Sequence, residues 1–390
     1  MRKIVRNLLA GTGVLALSLT LAGTASAGGH KVTKPTLTGW ASLPAGTFVP
    51  GSEPSGALVT GNLNGFTAPF ADQPVQGFSG IVDNGDGTFD VLSDNGYGNQ
   101  ANSGDFLLRV QKLAPVFRGK QVDVLGGVNL TDPDGKVPWP LTRADRVLTG
   151  ADFDVESIQK ASDGSYWIGD EFGPYLLHFD RAGRLLAAPV PLDGVIAPET
   201  AARTGATATA RSSKGFEGLA QSPDGRYLYA LLEGSITGDP AGALRLNEFD
   251  RRAGRYTGKH YVYQLDNPDF AIGDAIAVDQ DRFLVIERDN GQGATAVVKK
   301  IYLADKRDRN HDGLLDKKLV VDLMSIANPR HLGGFGPTFT FPFQTIEDVV
   351  ILDDRTIAVL NDNNFPFSSG RTPGAPDSNE FITVRLARKL

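Results

Sequence analysis

The sequence predicts an all-β fold, a β-propeller of four-stranded blades. One hairpin unit recurs five times, each copy carries acids at its open end, and no long amphipathic helical pattern interrupts the series. The unit is plainest in DFDVESIQKASDGSYWIGDEFGP, from Asp152 to Pro174, where two short apolar runs flank a Ser-Asp-Gly turn. Glu156 opens the first run, and Asp170 and Glu171 close the second. GFEGLAQSPDGRYLYALLEG repeats this with Glu217 and Glu233, IGDAIAVDQDRFLVIERDNG with Asp274 and Glu287, and TIEDVVILDDRTIAVLNDNN with Glu347 and Asp362. Upstream, GFSGIVDNGDGTFDVLSDNG keeps the closing acid, Asp94, but has Ser79 where the others carry an acid. A sandwich does not repeat one acidic hairpin in this way, and a solenoid needs shorter, more uniform periods.

In chain order, MRKIVRNLLAGTGVLALSLTLAGTASA reads as a signal peptide: Arg2, Lys3 and Arg6, an apolar run, and Ala25-Ser26-Ala27 as the cleavage site. Cleavage after Ala27 exports a single propeller domain over 28–390 and takes the formal charge from −6 to −9. A strand in LTGWASLPAG follows without a hairpin partner, so it is expected to complete the terminal blade and fasten the ring. The first repeat continues through FLLRVQKLAPVF and QVDVLGGVNL, the second through YLLHFDRAGRLL, and Pro189 to Lys214 reads as a mobile surface loop. The third repeat adds LRLNEFDRRAGRYTGKHYVYQL, the fourth VVKKIYLAD and LVVDLM, and NEFITVRLARKL is the last strand. Five blades are visible, and the weakly patterned stretches leave room for a sixth.

Composition narrows the function. The acidic balance, 39 Lys+Arg against 45 Asp+Glu, argues against nucleic acid or an anionic membrane as partner. With 0 Cys, the chain has no disulfide, thiolate nucleophile or Cys-based metal site. No G-x-S-x-G, P-loop or H-E-x-x-H occurs. The expectation is a monomer that takes a small anionic or ester substrate and has no membrane span after cleavage.

In a blade the innermost strand and its antiparallel neighbour meet the same channel mouth, one by its start and the other by its end. The repeats would therefore direct Asp94, Glu156, Asp170, Glu171, Glu217, Glu233, Asp274, Glu287, Glu347 and Asp362 towards one ring, with Asn95, Asn361 and Asn363 adding neutral oxygens. Singly, such an acid caps backbone N–H groups; together they repel unless a cation neutralises them. Oxygen ligands alone point to Ca²⁺. A second calcium signal is DRNHDGLLD: Asp308, Asn310, Asp312, Gly313 and Asp316 fall on positions one, three, five, six and nine of an EF-hand loop, although Leu319 stands where the bidentate Glu belongs. Lys214, Arg288, Arg330, His331 and Arg371 lie near the repeat ends, where they pair with acids or hold an anionic substrate.

The stretches LTGADFDVESI, WIGDEFGP, GFEGLAQSPDGRYLYALLEG and FPFQTIEDVVILDDRTIAVLNDNNFPFSSGR resemble the phytase-like family of exported bacterial proteins, described as having esterase-like activity. The resemblance implies a propeller and a phosphoester or carboxyester hydrolase. By analogy with alkaline propeller phytases, calcium would bind phosphate and activate water. It makes Glu156, Glu217, Glu347, Asp170 and Asp362 ligands and Glu171 or Glu233 the general base. Two other functions fit the same mouth, a non-catalytic ligand-binding propeller and a metal-dependent lactonase or carboxylesterase.

Overall fold

Residues 33–390 are described by a computed structural model; the predicted leader, residues 1–27, lies outside them. The chain opens with β1 (Thr36–Leu43). The first blade is β2 (Phe78–Asp83), β3 (Phe89–Ser93), β4 (Arg109–Val116) and β5 (Gln121–Asn129). The second is β6 (Val155–Lys160), β7 (Tyr166–Asp170), β8 (Tyr175–Phe179) and the two-residue β9 (Val190–Pro191). After the helix α1 (Pro198–Thr204) come β10 (Phe216–Gln221), β11 (Tyr227–Leu232), β12 (Ala243–Asp250) and β13 (Arg255–Gln264). The fourth blade is β14 (Ala271–Ala277), β15 (Arg282–Arg288), β16 (Lys299–Asp305) and β17 (Asp316–Asp322). A small hairpin of β18 (Ile326–Ala327) and β19 (Thr338–Phe339) precedes β20 (Asp348–Asp353), β21 (Thr356–Leu360) and β22 (Asn379–Arg385).

The strand expected to fasten the ring does so. β1 pairs antiparallel with β22 from Thr36↔Arg385 to Leu43↔Asn379, so the first strand of the chain completes the fifth blade. The innermost strands β2, β6, β10, β14 and β20 follow one another around the channel, and β20 packs back against β2. Five blades therefore close the ring among the described residues, without a sixth. The weakly patterned stretches become the connection ahead of β2, the β18–β19 hairpin and the α1 segment.

The core lies between blades, because each sheet turns one apolar face to each neighbour. Leu284, Ile286 and Ile301 of the fourth blade pack on Val349, Val359 and Ile382 of the fifth. Phe78, Ile81 and Val91 of the first pack on Ala358, Leu360 and Phe381 of the fifth, closing the circle hydrophobically. A further cluster, with Phe70, Tyr97, Phe106 and Phe365, ties the stretch after β1 to the loops that follow β3 and β21.

One segment differs from its expected form. Between Pro189 and Lys214, read as a loop, PETAART forms a helix with Pro at its first turn and Gly205 in the left-handed conformation at its end. Thr200 anchors it, its hydroxyl donating to the carbonyl of Phe172 (2.9 Å).

Candidate metal and substrate site

A β-bulge builds the mouth. In the first four blades the pairs that border the bulge are Phe78↔Ser93, Val155↔Asp170, Phe216↔Leu232 and Ile272↔Glu287, and the register shifts just after the first-named residue of each. The extra residue on the inner strand is Ser79, Glu156, Glu217 or Gly273; the residue following its partner is Asp94, Glu171, Glu233 or Arg288. In the fifth blade Glu347 and Asp362 flank the ladder that starts at Asp348↔Leu360. Four blades thus bring acids to the mouth, and the fourth brings a glycine and an arginine.

That register corrects two expected ligands. Asp274 lies one residue beyond the ring position, and its oxygens accept from Ala275 N (2.7 Å) and, in the next blade, Val349 N (3.0 Å). Glu287 accepts from Tyr263 Oη, Asp266 N and Lys317 Nζ, each at 2.7 Å, on the opposite side of β15 from Arg288. A one-residue offset along a strand reverses the face a side chain occupies. Gly273 has a reason to be glycine, since a Cβ there would land on the carbonyl oxygen of Ile346, just ahead of the neighbouring inner strand β20.

Asp170 is also occupied structurally, accepting from Asp154 N (2.9 Å) and Gly173 N (2.7 Å), so of the adjacent acids it is Glu171 that reaches the ring. The three asparagines are tied up as well. The Oδ1 atoms of Asn95, Asn361 and Asn363 accept from Gly98 N, Glu380 N and Gly77 N.

What converges is a set of buried carboxylates. Oxygens of Asp154, Glu156 and Glu171 lie within 4.8 Å of one another, as do those of Glu171, Glu217 and Glu233. Glu171, Glu217 and Glu233 are 4%, 3% and 5% exposed, and the Oε1 of each has no hydrogen-bond partner. Asp154 was not singled out by the repeat because it precedes the strand. Its signal is the acid two residues before Glu156 in DFDVES, a position matched by no acid in the other repeats.

The electrostatics follow from burial. Desolvation, reinforced by neighbouring carboxylates, pushes Glu156, Glu171 and Glu217 well above the usual carboxylate range. Burial, with help from Asp94 and Glu347, does the same to Asp362, and burial with Asp154 lifts Asp94 to about 7. Burial opposes the charge on Arg288, but Glu347, Glu233 and Glu217 outweigh it and raise its pKa. The Arg288 Nη2 lies 2.9 Å from Glu347, 3.5 Å from Glu233 and 3.8 Å from Glu217, while its Nε has no partner. Lys214 pairs with the second oxygen of Glu233.

The remaining predicted residues lie elsewhere. Arg330 donates to the carbonyl of Thr38 on β1, and His331 contacts the carbonyl of Phe335. Arg371 pairs with Glu380 and stacks on Phe335, Phe339 and Phe343, on the outer part of the fifth blade. The Asp308–Asp316 loop is exposed and folded on itself: Asp308 accepts from Asp312 N and Gly313 N (3.0 Å each), Asn310 Nδ2 donates to Asp312, and Asp316 accepts from Arg309 N. It does not gather three carboxylates as the mouth does.

Over residues 73–365 the chain matches the family model described as Phytase-like, esterase-like activity of phytase. An uncharacterized secreted protein of Arthroderma benhamiae is 26% identical over 221 residues, a match covering 40% of this chain and 42% of that protein, less than half its length. Among solved structures, a protein of unknown function from Dyadobacter fermentans gives a TM-score of 0.42 at 12% identity, covering 82% of this chain and 78% of that one. A luciferin-regenerating enzyme gives 0.38 at 10% identity, covering 82% and 80%. No helix among the described residues is long and apolar enough to cross a membrane.

Proposed function

This chain belongs to the Phytase-like family, and on that footing we propose that it is an exported, calcium-dependent ester hydrolase acting on phosphoesters at the acidic mouth of the propeller. The observation that carries the reading is the trio of unpartnered, buried oxygens on Glu171, Glu217 and Glu233. Buried carboxylate oxygens that accept no hydrogen bond are costly, and a hard divalent cation satisfies them. Glu171, with Glu217 and Glu233 on one side and Asp154 and Glu156 on the other, would hold it. Bound there, calcium supplies Lewis acidity and lowers the pKa of water.

The protein's own groups do the rest. Arg288, charged and with its Nε unpartnered, would donate to a phosphate oxygen in the low-dielectric mouth. Lys214 holds one oxygen of Glu233 and adds positive charge beside it. Glu171 and Glu233, expected as proton carriers, fall within the ligand groups. Asp94 is half-buried and accepts only at Oδ1, from Gly96 N (2.8 Å) and Gln76 Nε2 (3.4 Å), and burial with Asp154 pushes its pKa up to about 7, which suits it to take the proton from an attacking water. The two cationic side chains favour a phosphoester over a neutral lactone. Export rests on the leader and agrees with a relative named as secreted.

The test is turnover of model phosphomonoesters, phosphodiesters and aryl esters by calcium-loaded protein. Phosphate release that stops with chelator and returns with calcium supports the reading. No turnover of any of the three, with calcium bound, leaves a ligand-binding propeller in its place.

A further inference from the structure

We infer that the hollow between the outer rims of the second and third blades is a second binding site, for an uncharged oligosaccharide, apart from the mouth. The hollow exists because the second blade stops short. Its outermost strand, β9, has two residues and pairs with β8 only at Tyr175↔Pro191 and Leu176↔Val190, whereas β13 in the third blade runs for ten. Side chains alternate between the faces of a strand, so Arg245, Asn247 and Phe249 of β12 share one face, with His260 opposite Asn247 and Tyr256 opposite Phe249 on β13. Phe249 is covered by Trp167 of the second blade, their ring centroids 5.4 Å apart. Over Asn247 and His260 the short β9 leaves a cavity of about 930 Å³, at the upper end of the about 300–1,000 Å³ of small-molecule sites, and none of the mouth acids lines it.

The hollow is polar without carrying net charge. Arg245 is held by Asp239 (2.7 and 2.6 Å), Asp250 by Arg226 (3.0 Å), and Lys259 lies 4.0 Å from Glu248. That leaves Arg255 and Asp193, one of each sign, both exposed and without an ion pair among the described residues. A simple anion or cation gains no net attraction there, whereas a neutral ligand rich in donors and acceptors finds both. Asn247 points to such a ligand most directly. It is 6% exposed and lines the hollow; its Nδ2 donates to the carbonyls of Ala230 (3.3 Å) and Arg245 (3.1 Å), which fixes the way the amide points. Its Oδ1 accepts no hydrogen bond from any described residue, and a ligand hydroxyl removes the cost of leaving a buried acceptor unpaired. On the rim, neither ring nitrogen of His260 has a partner among the described residues, so the ring can donate or accept. The facing wall is apolar, from Val190 and Pro191. A sugar has the same division, hydroxyls around the edge of the ring and C–H groups on its faces, and the volume suits a chain of a few sugars rather than one ring.

Calorimetric titration of the exported chain tests this. The probes are neutral tetramers of β-linked glucose, α-linked glucose, β-linked mannose and β-linked N-acetylglucosamine, with a tetramer of galacturonate as the charged comparison. At least one neutral tetramer is expected to bind, one per chain, equally well in calcium and in chelator and in the presence of inorganic phosphate. Asn247→Ala, which removes the unpaired oxygen, and His260→Ala, at an exposed side chain whose loss leaves the core intact, should each weaken it about tenfold while turnover of a phosphomonoester at the mouth stays as in the wild type. Failure of every neutral tetramer to bind at about 10 mM, or binding of galacturonate alone, overturns the inference. So does a neutral tetramer that binds His260→Ala and Asn247→Ala as tightly as wild type, or that phosphate displaces, since it then sits elsewhere. None of these outcomes depends on whether the mouth hydrolyses an ester.

Discussion

Replacing Glu171 by glutamine changes stability in opposite directions with and without calcium. Its carboxylate lies within 4.8 Å of oxygens of Asp154 and Glu156 in one group and of Glu217 and Glu233 in the other. Two ionised carboxylates at that separation repel by about 3 kcal/mol at an effective dielectric near 20. Proton uptake relieves part of this, since burial and Glu233 already hold Glu171 well above its ordinary pKa. In chelator at about pH 8 the glutamine variant is therefore more stable by roughly 2–3 kcal/mol. For a domain of this size that is a rise of about 3–4 °C in Tm. In calcium the order reverses, because the variant lacks the ligand shared by both groups. Differential scanning calorimetry of the two proteins, each in chelator and in excess calcium, reads both effects. A variant less stable than wild type in chelator, or one stabilised by calcium as strongly as wild type, refutes the reasoning.

Metal-free protein is expected to lose stability as pH rises. Burial lifts Asp94 to about 7 and Asp170 and Asp274 to about 8, so between about pH 4 and 8 the folded chain binds more protons than the unfolded one. A chelated sample should melt higher at about pH 5 than at about pH 8, and calcium should narrow the gap. Gly273→Ala puts a methyl group on the Ile346 carbonyl between the fourth and fifth blades and should cost about 2–4 kcal/mol in urea denaturation. Leu37→Asp, at a fully buried position of β1, should cost about 3–5 kcal/mol by the same measurement, because it leaves an unpaired charge where the ring closes.

The blades were legible because each repeat announces itself locally, by alternating apolar runs around an Asp-Gly or Asp-Arg turn, and because a strand without a hairpin partner at Leu37 has only the terminal blade to join. The family was legible too, in stretches that fall on the mouth itself. What sequence spacing missed is the bulge. It inserts a residue on the inner strands of the first four blades just where the ring positions sit, so matching acid to acid selects Asp274 and Glu287 instead of Gly273 and Arg288. The correct alignment was available from the apolar residue before each ring position: Val155, Phe216, Ile272, Ile346 and Phe78. Arg330, His331 and Arg371 were drawn in by nearness to the fifth repeat in sequence. Their partners, Thr38, Phe335 and Glu380, hold them on the outer part of the blade. Asp154 escaped notice because its role depends on the chain turning into β6 beside Glu171, a tertiary relation without a periodic signal.

Anomalous diffraction from crystals of the exported chain grown with manganese in place of calcium tests the central claim most directly. An anomalous peak beside the Glu171 carboxylate, among the oxygens of Asp154, Glu156, Glu217 and Glu233, is predicted. A map with no anomalous density at Glu171, in crystals that diffract well enough to place its carboxylate oxygens, would contradict the account.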